Sequence, residues 1–402
     1  MTSTAQHRAW TSERGRRAAS GALALAIVLV SAVLATRPAQ AQTFSVLYAF
    51  TGGADGGNPA TGLIRDVKGN FYGTTVGGGA SGVGVVFMLD TSGKETVIHG
   101  FTGTGGDGAE PLAGLVRDAA GNLYGTTRFG GVGFGTVFSL DKTGKETVLY
   151  SFSGGADGGY PVYGYLVRDA AGNLYGTTSY SGTSGYGTVF MLDKTVKETV
   201  LYNFTGSGGD GAEPWGGLVR DANGNLYGTT VLGGGSGGYN GYGTVFKLDK
   251  TGKETVLHRF SGAPGDGANP VAGLVRDASG NLYGTTSEGG TEGRGTVFKV
   301  DKTGNETVLY NFTGTGGDGG TPYAGLLRDA AGNLYGTTVN GGIGYGTAFK
   351  LDQTGKETVY RLNYPEGGIP YAGLVLDAKG NLYGTALEFG SFHYGTVFKL
   401  TP

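Results

Sequence analysis

The sequence predicts an all-β protein: a single seven-bladed β-propeller built from four-stranded blades. Three observations predict it. Gly accounts for 85 of the 402 residues, and each Gly inside a helix costs about 1 kcal/mol relative to Ala. The segment Asn-(Leu/Phe)-Tyr-Gly-Thr recurs at Asn70, Asn122, Asn173, Asn225, Asn281, Asn333 and Asn381, at spacings of 52, 51, 52, 56, 52 and 48 residues. Beyond residue 41 the chain opens with a spare copy of the repeat's last strand, and its final repeat lacks one. Collagen is excluded because Gly follows no three-residue period. Disorder is disfavoured because 24 Tyr, 19 Phe and many Val and Leu can build a core.

The second repeat shows how each element arises. Gly114 to Asp118 reads as a short strand, a. Ala119-Ala120-Gly121 is a tight turn in which Gly supplies the positive φ. Asn122 to Thr127 is strand b, Arg128 to Phe134 a Gly-rich loop, and Gly135 to Asp141 strand c. Lys142-Thr143-Gly144 is a second tight turn, and Lys145 to Phe152 is strand d. Four short strands rich in Val, Thr, Tyr and Phe per 40- to 50-residue repeat form a propeller blade. The opening run Phe44 to Phe50 matches strand d, and the last repeat stops at strand c, Gly395 to Leu400. The N-terminal strand is therefore expected to complete the last blade and close the ring, which also removes sticky edges.

Residues 1–41 differ from the rest. Arg8, Arg14, Arg16 and Arg17 precede the apolar run Gly21 to Ala35, and Ala39-Gln40-Ala41 supplies small residues for cleavage. Together they read as a secretory signal peptide, with residues 42–402 as the propeller. The expected location is the periplasm or medium, with no membrane anchor after cleavage. Residues 1–41 hold five Arg and one Glu, so the remainder carries 25 basic and 31 acidic residues, a net of −6. With no basic run, nucleic acid is not an expected partner. A monomer is expected.

The a–b and c–d turns are short and regular, whereas the b–c and d–a loops vary in length. Repeat proteins place such variation on the binding face. Three residue sets fall there. One precedes strand c: Phe134, Tyr186, Tyr242, Tyr345 and Tyr394, with Val83 and Arg294 in the other two repeats. Aromatic faces stack on sugars or flat apolar ligands; the bland alternative is padding between blades. The second set follows the d–a loop Pro, where Trp215 stands alongside Tyr323 and Tyr371 and smaller residues elsewhere. Strand a is innermost, so these sit near the channel mouth, as ligand platform or as plug. The third set is Asp55, Asp107, Asp157, Asp210, Asp266 and Asp318, each followed by Gly. A ring of loop carboxylates offers oxygens to Ca²⁺, but Asp-Gly is also a common turn signal.

Catalytic signals are sparse. The chain has no Cys, which rules out thiol catalysis. His99 and His258 replace Tyr in strand d and read as structural; His393, beside Tyr394, is the histidine placed to act as a base. Glu288, Glu292 and Glu388 are the loop acids a glycan hydrolase would draw on. The recurring Arg of strand a (Arg65, Arg117, Arg168, Arg220, Arg276 and Arg328), each before an Asp, reads as an inter-blade salt-bridge belt.

The repeat Gly-Leu-Val-Arg-Asp-Ala-Ala-Gly-Asn-Leu-Tyr-Gly-Thr-Thr, followed by Gly-Thr-Val-Phe and Leu-Tyr-x-Phe, resembles the GloVer (Gloeo/Verruco) tandem repeat over residues 44–402. That resemblance implies a secreted bacterial propeller and transfers no catalytic residue. Gly135 to Lys145 is also similar to the repeat of quinoprotein dehydrogenases, with Tyr150 where their Trp would fall. The Asp-x-x-Gly-Asn-Leu-Tyr segment resembles NHL-type repeats. The expected function is a secreted module that binds carbohydrate or cell-surface material through the long-loop face, with no cofactor. A protein-docking scaffold is the alternative, followed by a glycan hydrolase or lyase or a quinoprotein-like enzyme.

Overall fold

The computed structural model describes residues 43–235, 237 and 239–402; the signal-peptide reading falls on residues 1–41, outside them. Phe44–Thr401 form one compact unit of seven four-stranded antiparallel blades. In the second blade the strands are Val116–Arg117, Leu123–Thr127, Thr136–Leu140 and Glu146–Ser151, in the order a–b–c–d. Strand a has two residues rather than the expected five, because Gly114 leaves the ladder to face the central channel. The ring closes as the sequence predicts. Thr43–Ala49 pairs beside Thr396–Thr401, followed by Leu382–Ala386 and Val375–Leu376. The Phe50 N–H then donates to the Gly395 carbonyl at 3.0 Å.

The core lies between blades. The Phe that follows each strand d stacks edge-on against the strand-c Phe of the next blade, as in Phe50–Phe87 (5.0 Å, 68°) and Phe101–Phe138 (5.1 Å, 71°). At the last interface Leu362 takes this place against Phe398. The strand-b glycine serves this packing: a Cβ on Gly125 would lie 2.7 Å from Phe138 Cζ. Substituting that glycine would therefore push the ring out of the core.

The short turns close on their own aspartates. Asp118 accepts the Asn122 N–H (2.9 Å), the Asn122 side-chain amide (2.9 Å) and the Tyr124 hydroxyl (3.1 Å). These bonds hold its carboxyl below the usual range, against the opposing effect of burial. The strand-a arginines do not form the expected salt-bridge belt: among the described residues, none lies within 4.0 Å of a carboxylate. Five of them instead stack over the strand-b Tyr of the preceding blade, as Arg220 does over Tyr175 at 5.5 Å. The aspartates are already saturated by their turns, so the guanidinium takes the π face that remains.

The long loops contain a feature the sequence reading lacked. In four blades, two residues of the d–a loop pair with two of the b–c loop, as Gly108–Ala109 does with Phe129–Gly130. Single bridges do the same in the other three: Gly57 with Gly77, Gly159 with Tyr180, and Gly368 with Glu388. Both loop sets are thus fastened together on one face.

Candidate functional site at the channel mouth

On that face the residue before each d–a loop Pro has a positive φ although it is not Gly. The seven are Asn58, Glu110, Tyr160, Glu213, Asn269, Thr321 and Ile369, with φ between 53° and 58°. Two backbone bonds fix each one. The Glu213 N–H donates to the Tyr186 carbonyl of the preceding blade (3.0 Å), and its own carbonyl accepts the Val231 N–H (3.0 Å). The other six repeat this pattern. Left-handed backbone costs a non-Gly residue about 1 kcal/mol or more, and here it aims one side chain per blade at the loop face. Sequence reasoning missed this ring. The available signal was that the residue before Pro changes from repeat to repeat while it always sits between a Gly or Ala and that Pro.

Of the residues after Pro, Ala60, Leu112, Val271, Tyr323 and Tyr371 line the channel cavity, and Val162 and Trp215 pack beside them. Ala60, Leu112 and Val162 form an apolar patch with Tyr163, Trp215 and Leu387. Trp215 packs on Tyr163 at 5.8 Å between ring centroids, and Tyr323 packs on Tyr371 at 5.0 Å. The Trp215 indole N–H is buried and makes no well-formed hydrogen bond, although it lies near enough to the Glu213 carboxyl to favour its charged form. Glu213 is itself buried, and burial outweighs that help and the Tyr180 hydroxyl (3.3 Å), so its carboxyl is pushed up. A cavity of about 420 Å³ opens beside this patch, towards the first and last blades, lined by Asn58, Val76, Glu110, Tyr163, Tyr371 and Leu387 among others; Trp215 and Glu213 do not line it.

Trp215 does not plug the channel. Tyr165 crosses it, because the third repeat carries one residue more than the others between its Pro and its strand a. Its hydroxyl lies against Gly62 and its ring against Gly114, where an added Cβ atom would clash with it. Burial pushes its hydroxyl up to about 12. Its 37% exposure faces the cavity of about 300 Å³ that it lines.

The pre-strand-c residues lie elsewhere. Phe134, Tyr242 and Tyr394 rest over Gly154, Gly262 and Gly52 of the next loop, and Arg294 lies over Gly314. Tyr186 stacks on Tyr239 at 5.0 Å, and Tyr345 on Phe389 at 5.1 Å. Each pads a joint between loops while leaving part of its surface open. Phe134 also meets Tyr160 at 5.4 Å, which links this outer set to the mouth. His393 is exposed, with its Nε2 2.9 Å from the Tyr364 hydroxyl, and Glu288, Glu292 and Glu388 are exposed as well. The six loop aspartates do not converge on one point. Each is held by its own loop, as Asp210 is by the Thr205 N–H (2.7 Å) and hydroxyl (2.8 Å).

The mouth is not symmetric. In blades 2 to 4, Arg128 pairs with Glu110 at 3.5 Å and lies over Phe129 at 4.7 Å. Tyr160 joins Phe129 (5.6 Å) to Tyr180 (6.2 Å), and Tyr180 reaches Glu213 beside Trp215. One arc of the mouth therefore carries a continuous run of aromatic rings with two carboxyls and one guanidinium.

Comparison with known structures supports the fold. The chain is similar to a streptogramin B lyase (14% identity, 90% of this chain and 97% of that one, TM-score 0.57). It is likewise similar to a virginiamycin B lyase from Staphylococcus aureus (14%, 90% and 99%, TM-score 0.57). A third likeness is to the extracellular domain of a protein named as a hybrid two-component system from B. thetaiotaomicron (15% identity, TM-score 0.58), covering 90% of this chain and 41% of that one. At such identities the likeness extends to the propeller alone. None of the curated proteins compared matches the chain. The model of the Gloeobacter/Verrucomicrobia repeat matches residues 32–239 and 234–402, and with every blade carrying that repeat, the chain belongs to the Gloeobacter/Verrucomicrobia repeat family.

Proposed function

We propose that the protein is a secreted binding propeller whose ligand seat is the channel mouth over blades 2 to 4, and that its ligand is carbohydrate. One observation carries this reading: seven left-handed positions ring the long-loop face, and none of them is Gly in a chain with 85 Gly. The strain is kept in exchange for side chains, and strained positions of this kind cluster at functional sites. In blades 2 to 4 those side chains join Trp215, Tyr163 and Tyr180. Ring faces suit the apolar faces of sugars, while Glu110, Glu213, Arg128 and the buried indole N–H suit their hydroxyls.

Trp215 provides the test. In the purified protein its emission is expected to shift or quench saturably with soluble oligosaccharides, and Trp215→Phe and Tyr160→Ala are expected to weaken binding measured by calorimetry. A panel of neutral and acidic oligosaccharides that gives no heat and no spectral change would refute the carbohydrate reading. A second reading rests on Glu213, a buried carboxyl beside the Tyr180 hydroxyl and the Trp215 indole whose pKa burial raises. Such a group serves as a general acid, and turnover of a bound glycan that is lost in Glu213→Gln would favour it.

A further inference from the structure

The outer strands carry a second, unrelated arrangement. At each of six blade interfaces, a strand-d ring meets a d–a loop Asp and the first Glu of the next strand d. In four of them the ring is Tyr, and its hydroxyl closes the contact by donating to a carboxylate. Tyr48 reaches Asp55 at 3.0 Å, Tyr150 reaches Asp157 at 3.0 Å, Tyr202 reaches Asp210 at 3.1 Å and Tyr310 reaches Glu357 at 2.8 Å. In the other two the ring is His99 or His258, and the contact stays open. His99 Nε2 lies 3.7 Å from Asp107 and 3.9 Å from Glu146, and His258 Nε2 lies 3.5 Å from Asp266. Both nitrogens are buried without a well-formed hydrogen bond, and this sets the two interfaces apart, since one carboxyl oxygen of the strand-d Glu is left so at all six (Glu95, Glu146, Glu198, Glu254, Glu306 and Glu357).

We propose that His99–Asp107–Glu146 and His258–Asp266–Glu306 are two sites for a divalent transition cation of the zinc class. In each trio one nitrogen and two carboxylate oxygens lie within 4.8 Å of one another. Ligand atoms about 2.0–2.2 Å from a tetrahedral zinc are about 3.3–3.6 Å apart; the His258–Asp266 separation of 3.5 Å falls in that range, and the His99 separations of 3.7 and 3.9 Å lie just beyond it, so a small closure around an ion completes each trio. The imidazole selects a zinc-class ion over calcium, which takes six to eight oxygens.

The ligands are also held in place from behind. Asp107 accepts the Thr102 N–H (2.7 Å) and hydroxyl (2.8 Å) and the Gly108 N–H (2.6 Å). Asp266 is held by Ser261 (2.7 and 2.6 Å) and the Gly267 N–H (2.7 Å). The rings of His99 and His258 each stand edge-on to a core Phe at 4.8 Å, Phe101 and Phe260. Such outer contacts orient metal ligands in zinc proteins. Three protein ligands leave the fourth position to water.

The test is calorimetric titration of the untagged protein with Zn²⁺, with Ca²⁺ as a control. Two equivalents of Zn²⁺ are expected to bind, with a rise in melting temperature that Ca²⁺ does not reproduce. His99→Tyr and His258→Tyr each install the ring that four other interfaces carry, so the fold is retained. Each is expected to lose one equivalent and the double variant both, while His393→Ala keeps two. No saturable Zn²⁺ binding, or two equivalents remaining in the folded double variant, would overturn the proposal.

Discussion

Closure of the ring makes a quantitative prediction at Phe50. This residue follows the N-terminal strand, is 0% exposed, and stacks on Phe87 at 5.0 Å. Phe204 occupies the same position in the middle of the chain, also 0% exposed and 5.1 Å from Phe246. A buried Phe→Ala change costs about 3–5 kcal/mol, of which an aromatic pair of this kind accounts for about 0.5–1.5 kcal/mol. If the terminal strand is as firmly held as an internal one, Phe50→Ala and Phe204→Ala should cost similar amounts. Phe50→Leu should cost less, under about 1.5 kcal/mol, because the last interface already accepts Leu362 at this position. Guanidinium unfolding of the three variants, followed by far-ultraviolet dichroism, gives the comparison. A Phe50→Ala loss below about 1 kcal/mol alongside a full loss for Phe204→Ala would mean that the ring opens at the seam.

Three further outcomes follow from the same geometry. Burial, with Asp157 adding its charge, pushes the Glu198 carboxyl up to about 7 from an ordinary 4.5. The folded state therefore keeps its proton longer than the unfolded state, and the resulting stability is full below about pH 4.5 and lost as pH rises through 7. Glu198→Gln should raise the melting temperature at pH 8 and leave it unchanged at pH 4.5; a gain equal at both values would refute the assignment. Val196 holds φ 67° in a turn where Gly144 holds 84°, so Val196→Gly should stabilise by about 0.5–1 kcal/mol, the relieved strain exceeding the added chain entropy; a loss in chemical denaturation would contradict this. A double-mutant cycle on Arg220→Ala and Tyr175→Leu should give a coupling of about 0.5–1 kcal/mol, whereas a coupling of Arg220 to Asp169 alone would restore the salt-bridge belt.

Most of the frame is legible from one repeat, because each blade strand is a local pattern bounded by Asp and Gly turns. Ring closure is legible too, since a spare strand at Phe44 to Phe50 and a missing one after Leu400 are properties of the sequence itself. What escaped depends on neighbours about fifty residues away. Arg220 finds Tyr175 only once two blades pack, and His99 meets Glu146 only across an interface. Tyr165 was hidden differently: a single extra residue in the third repeat is unremarkable in an alignment of motifs, yet it carries a ring across the channel. Among the expected site residues, Tyr323 and Tyr371 line the channel cavity and Trp215 packs beside it on Tyr163, because their place beside the innermost strand is set by topology. The pre-strand-c rings sit further out because strand c is two strands removed from the axis.

The two kinds of left-handed position in this chain explain one another. In the c–d turn, Gly93, Gly144, Gly252, Gly304 and Gly355 supply the positive φ, and Val196 is the exception in the third blade. Nothing is displayed there, so the unstrained residue is used. Before the d–a loop Pro the same region of backbone space is occupied seven times, and Gly is used in none of them. The repeats show that Gly was available, and the paired bonds to the preceding blade and to the b–c loop would form equally well without a side chain. Strain that Gly would remove is thus retained at every blade and filled with Asn, Glu, Tyr, Thr and Ile; in two blades the side chain also ties loops together, Asn58 donating to the Leu387 carbonyl (3.1 Å) and Asn269 to the Val231 carbonyl (3.3 Å). Since those side chains differ while the backbone bonds holding them do not, the fold separates a constant scaffold from a variable loop face.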